Sequence, residues 1–136
     1  MVKTIDNIER LLAEYYNKGA GQHITELLDI QDKLAIHSYR LAEMAANAKN
    51  EYNGCYFIRK ISVGKNVQGL MNSRKISKAQ AQVEADIMSE EDFKAELDAE
   101  GEAYKYDMLV GQVNKVLSAI QQRISYLKTE KNNTHA

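Results

Sequence analysis

The sequence predicts an all-α protein made of two long antiparallel helices and a short N-terminal one. Three observations carry that expectation. Proline is absent from all 136 residues, whereas average usage is about 5%, and proline both breaks helices and punctuates loops. Apolar residues recur every seven positions through two long stretches, which marks helices packed lengthwise. Serine-led capping signals stand ahead of the later helical stretches.

The first helix is expected over residues 4 to 17. Ile5, Ile8, Leu11, Leu12, Tyr15 and Tyr16 fall on one face at three- and four-residue spacing. Thr4 or Asp6 caps its start, and the glycine-containing NKGAG (17 to 21) ends it.

A second helix runs from about His23 to about Val63. Leu27, Leu34, Leu41, Ala48 and Cys55 follow at intervals of seven, with Ile24, Ala45 and Tyr52 in the partner positions. Gln31 and Ser38 interrupt that seam. Roughly forty residues at ~1.5 Å each span about 60 Å. Toward its end, CYFIRKISV (55 to 63) is rich in β-branched and aromatic residues, and a short strand is the alternative there. No other segment offers itself as a strand partner, so the helical reading is kept. Gly64 and Gly69 then bracket a connector over 64 to 76.

Ser77 and Gln80 have capping-box spacing, which predicts a helix from Lys78. Ser89 and Asp92 nearly repeat the signal, with acids in the first turn where they favour the helix dipole. From Glu90 to about Thr129 the pattern is helical again. Tyr106, Val113, Ile120 and Leu127 recur every seven, beside Leu109, Val116, Leu117 and Ile124. Residues 131 to 136, KNNTHA, read as a disordered polar tail behind a single helical domain over 1 to 130. Two long helices cannot hide both seams alone. A third must come from residues 4 to 17 or from another copy, and oligomerisation is the expected supply.

Composition narrows the class. Hydrophobic content of 44% and charged content of 27% are those of a globular protein. No apolar run approaches the ~18 residues of a membrane span. MVKTIDNIERLL carries acids and lacks a continuous apolar stretch, so a signal peptide is not expected. The single cysteine, Cys55, excludes an internal disulfide, and the cytoplasm is the expected compartment.

Enzyme motifs are scarce. His23, His37 and His135 have no partner at metal-ligand spacing, so they read as ordinary surface or helix-margin residues. Gly64-Lys65 superficially resembles a phosphate loop. However, Arg59 stands where the first glycine is needed, and Asn66 where Ser or Thr is needed. Gly19-Ala20-Gly21 follows a helix rather than a strand, which does not suit a dinucleotide fingerprint. Cys55 lies on the apolar seam as a small hydrophobe. Neither an enzyme, a cofactor nor a metal is expected.

Charge is divided sharply. Between Tyr52 and Val83 there are six bases (Arg59, Lys60, Lys65, Arg74, Lys75, Lys78) and no acid. From Glu84 to Glu102 there are nine acids and one base, Lys94. Two readings follow. In one, the acidic segment neutralises the basic one, within the chain or between subunits. In the other, the six bases track a phosphate backbone, and Tyr56 and Phe57 supply stacking for unpaired bases. A net charge of −1 argues against a duplex-DNA binder with a large footprint, but not against one focused patch.

The layout resembles the tailed-phage recombination mediators of the UvsY type. SKAQAQVEAD (77 to 86) looks like that family's lead-in to its later helix, and AYKYDMLVGQVNKVLSAIQQRISYLK (103 to 128) is similar to its long C-terminal helix. Within the latter, Leu117, Ala119, Ile120 and Arg123 look closest, and Arg59-Lys60 would correspond to its basic element for single-stranded DNA. The resemblance covers roughly residues 27 to 128, with no counterpart for 61 to 76. It implies a non-enzymatic homo-oligomer that binds single-stranded DNA, restructures its complex with a single-strand-binding protein and helps load a recombinase. It also implies that the C-terminal helix assembles subunits, so Val113, Val116, Leu117, Ile120, Ile124 and Leu127 are the expected oligomerisation residues. The competing expectations are a coiled-coil assembly or adaptor protein, such as a phage scaffold, and an oligomeric binder of small anions using Arg59 or Arg74.

Overall fold

The structure is a computed structural model that describes residues 2–18 and 23–134. It contains four helices: α1 (Val2–Lys18), α2 (Ile24–Arg74), α3 (Lys78–Met88) and α4 (Glu90–Thr134). No strand occurs among the described residues, so the 55 to 63 stretch is helical. α1 takes in Asn17 and Lys18, and the rest of the expected NKGAG stop lies outside the described residues.

The largest difference from expectation is the end of α2. The helix runs through both Gly64 and Gly69 and stops only at Arg74, so the connector expected over 64 to 76 shrinks to residues 75–77. A glycine inside a helix costs about 1 kcal/mol relative to alanine. Here that cost is offset by packing, because Val63, Val67, Leu70 and Met71 all enter one apolar cluster with Ala81 and Ala85 of α3. The stop itself is made by Lys75, whose φ of 52° is left-handed. Glycine is the usual occupant of such a position.

The capping signals hold. The Ser77 hydroxyl accepts from the Gln80 N–H at 3.2 Å and opens α3. Ser89 joins α3 to α4: its N–H donates to the Ala85 carbonyl and its own carbonyl accepts from the Phe93 N–H, both at 3.0 Å. Glu90, Glu91 and Asp92 then occupy the first turn of α4. At its far end α4 continues to Thr134, so residues 131–134 of the expected tail are helical.

Within the span read as one domain, the chain divides into two compact units, residues 1–45 with 106–136, and residues 46–105. The first is a three-helix core of α1, the beginning of α2 and the end of α4. Ile8, Leu11 and Leu12 of α1 meet Leu27, Ile30, Leu34 and Leu41 of α2, together with Val113, Val116, Ile120 and Ile124 of α4. The third helix therefore comes from the chain's own N-terminus. Val113, Val116, Ile120 and Ile124 are buried there, and Leu117 and Leu127 pack against them. The seam assigned to oligomerisation is thus packed against α1 and α2 of the same chain.

The second unit contains the rest of α2, all of α3 and the beginning of α4. Its core is small, built on Val63, Val67, Ala81 and Ala85. α2 and α4 run antiparallel in it, since Arg59 meets Glu96 while Asn66, further along α2, meets the earlier Ser89.

Candidate nucleic-acid interface

Every residue singled out for nucleic acid lies in the second unit: Tyr56, Phe57, Arg59, Lys60, Lys65 and Arg74 on different sides of α2, Lys75 in the connector and Lys78 at the start of α3. Arg59 shares a side with Ser62, Val63 and Asn66, toward α3 and α4. Phe57, Lys60 and Lys65 point to solvent.

Arg59 is committed within the chain. Its Nε donates to Glu96 Oε2 at 2.7 Å and its Nη2 donates to Glu96 Oε1 at 3.1 Å. The planar guanidinium fork matches the two carboxylate oxygens, which makes this the strong form of a charged hydrogen bond. The Arg59 Cζ also stands 5.1 Å from the Tyr56 ring centre and 4.9 Å from that of Phe93, within cation–π range. Hydrogen bonding to Glu96 raises the Arg59 pKa above its ordinary value, and the same bond holds the Glu96 carboxyl below the usual glutamate range. Partial burial opposes both shifts without reversing them.

Arg74 is also paired, its Nη1 donating to Glu84 Oε2 at 2.5 Å. Both side chains are well exposed, so solvent screens this pair and it contributes little to stability. Arg59 and Arg74 were expected on the open basic surface, and the structure engages both with acids of the following segment. Tyr56 is likewise half-buried and occupied, with Arg59 and Lys60 near its ring and the Phe57 ring edge-on.

The lysines behave differently. Lys60, Lys65, Lys75 and Lys78 are all exposed, and none has an ion-pair partner among the described residues. Lys60 Nζ rests 5.1 Å from the Tyr56 ring centre. Phe57 beside it is 62% exposed. The six expected cations thus split by pairing: both arginines engage carboxylates, Arg59 part-buried and Arg74 at the exposed surface, while the four lysines have no ion-pair partner among the described residues. That split fits the chemistry of the heads, since the planar guanidinium fork matches a carboxylate, while the lysine ammonium is strongly hydrated.

Behind this surface lie residues that the sequence marked only as a cap, Ser89, or as members of the acidic run, Glu84 and Glu96, and one it did not mark at all, Phe93. Ser89 is buried and accepts from Asn66 Nδ2 at 3.1 Å, with the Ser62 hydroxyl 3.4 Å away. Glu96, Glu84 and Phe93 complete the arginine sites. The opposed charge runs announced such pairing, but the Arg59–Glu96 contact joins residues 37 apart in sequence, beyond any local pattern.

Among the described residues no group of three or more His, Cys, Asp or Glu side chains could hold a metal ion, and no helix is long and apolar enough to cross a membrane. Set against protein-family models, curated proteins and solved structures, the chain matches none.

Proposed function

We propose that this chain is a non-enzymatic binding protein for single-stranded nucleic acid, acting through the exposed lysines of the second unit. Lys60, Lys65, Lys75 and Lys78 contact phosphates, and exposed Phe57 stacks on an unpaired base. The observation that carries the reading is the split of the cations: four ammonium groups have no ion-pair partner in a stretch, Tyr52 to Val83, that contains no acid. Four lysines and one ring suit a flexible strand, whose bases are available for stacking worth about 1–3 kcal/mol each. They are few for a duplex footprint. Following the resemblance to the UvsY-type mediators, the bound strand would be handed to a recombinase in the host-cell cytoplasm, displacing a single-strand-binding protein.

Fluorescence anisotropy with a labelled single strand, the matching duplex and a mononucleotide tests this at two salt concentrations. The expected order is single strand above duplex, with no mononucleotide binding and steep weakening as salt rises. Tight mononucleotide binding would instead favour the small-anion reading. No binding of any of the three would leave the adaptor reading, which the exposed apolar residues Phe57, Ile58 and Ile61 favour.

A further inference from the structure

The outward side of α2 in the second unit is apolar as well as basic, and the outward side of α4 in the same unit has a matching pattern of opposite sign. On α2, Phe57, Lys60, Ile61 and Gly64 stand at i, i+3, i+4 and i+7, the spacing of one helix face. On α4, Leu97, Glu100, Gly101 and Tyr104 have the same spacing. All eight are exposed, Phe57, Ile61, Leu97 and Tyr104 to 62%, 57%, 66% and 65%. Set side by side in parallel register, the two faces complement one another. Lys60 answers Glu100, Ile61 falls opposite Gly101, and Gly64 lies opposite Tyr104, so large meets small twice and charge meets its opposite once.

The two glycines leave room for a close neighbour: a Cβ placed on Gly64 or Gly101, as on the other described glycines Gly54, Gly69 and Gly111, would meet no atom within 4 Å. Charge points the same way, since neither Lys60 nor Glu100 has an ion-pair partner among the described residues. Around the α4 face, Glu90, Glu91, Asp98 and Glu102 outnumber Lys94 and Lys105.

We infer that the chain associates with a second copy of itself, the Phe57–Gly64 face of α2 in one copy lying parallel to the Leu97–Tyr104 face of α4 in the other. This interface is distinct from the Val113–Leu127 seam, which the chain buries itself. It requires no nucleic acid. Because Phe57 and Lys60 also belong to the surface proposed for a strand, a strand and a second copy exclude each other there.

Sedimentation velocity on the full chain without nucleic acid tests the interface. Wild type is expected to associate with concentration at low salt. Lys60→Glu and Glu100→Lys are each expected to remain monomeric alone, and their equimolar mixture to associate again, since mixing restores one Lys–Glu contact per joint. Gly101→Leu is expected to abolish association while its melting temperature does not fall, which separates loss of the interface from loss of the fold. A monomeric wild type at every concentration would overturn the inference. So would charge variants that associate as wild type does, or a mixture that fails to recover. Since no strand is present, failure here leaves the nucleic-acid reading standing on its own titration.

Discussion

The two units use different means to order the same two long helices. In the first, α1, α2 and α4 close on large aliphatic side chains, with Ile8, Leu27, Leu34, Leu41 and Ile120 fully buried. In the second, the buried residues are valines and alanines, and the register between α2 and α4 is marked by polar contacts: Arg59 to Glu96, and Ser62 and Asn66 to Ser89. Burying apolar area stabilises without direction, by roughly 25 cal/mol per Å², whereas a bidentate ion pair is directional. The first unit therefore holds the fold, and the second fixes side-chain orientation and leaves charge over at its surface.

Substitutions can break this contrast in order of size. Leu34→Ala removes a fully buried side chain of the first unit and is expected to cost about 2–5 kcal/mol in urea denaturation. Ala85→Leu in the second unit forces bulk between α3 and α2, with an expected cost of about 1–3 kcal/mol and earlier hydrogen exchange confined to residues 46–105. A loss from Ala85→Leu that matched or exceeded that of Leu34→Ala would remove the distinction between the cores. Lys75→Gly relieves the left-handed backbone at the end of α2 and is expected to stabilise by about 1 kcal/mol.

The Arg59–Glu96 pair sharpens the contrast through pH. The Glu96 carboxyl titrates lower in the folded chain than in the unfolded one. Its contribution is therefore complete above the ordinary glutamate value of about 4.5 and is lost as pH falls through the lower, folded value. Glu96→Gln is expected to be less stable than wild type at neutral pH, with the gap closing on acidification. A gap that stayed constant with pH would show that the pair does not set this register.

Much of the fold was legible because helices announce themselves locally. The α3 start at Ser77–Lys78 and the α3–α4 junction at Ser89 were read from caps that depend on neighbouring residues alone. What failed depended on tertiary contacts. Gly64 and Gly69 look like stops until Val63 and Val67 are seen packing on Ala81 and Ala85. The α2 seam was phased through Gln31 and Ser38, but the buried positions are Ile30 and Met44, with Gln31 and Ser38 half-buried beside them. The Val113–Leu127 seam was legible as apolar, but period alone does not say whether the covering helix belongs to the same chain, and here α1 and α2 pack on it. At the candidate site, the charge runs were plain in the sequence. Which cations they consume was not, since that depends on the side of α2 each residue takes.

The open lysines are tested most directly by the salt dependence of single-strand affinity in two variants, one that lowers the net charge by four and one that leaves it unchanged. One removes Lys60, Lys65, Lys75 and Lys78 to alanine, and the other removes the Arg74–Glu84 pair to alanine. The slope of log affinity against log salt should fall by about 0.7 for each lysine that contacts a phosphate, and should be unchanged without the Arg74–Glu84 pair. A slope that survives loss of the four lysines, or collapses with the paired arginine, would contradict the assignment of the open charge to the lysines.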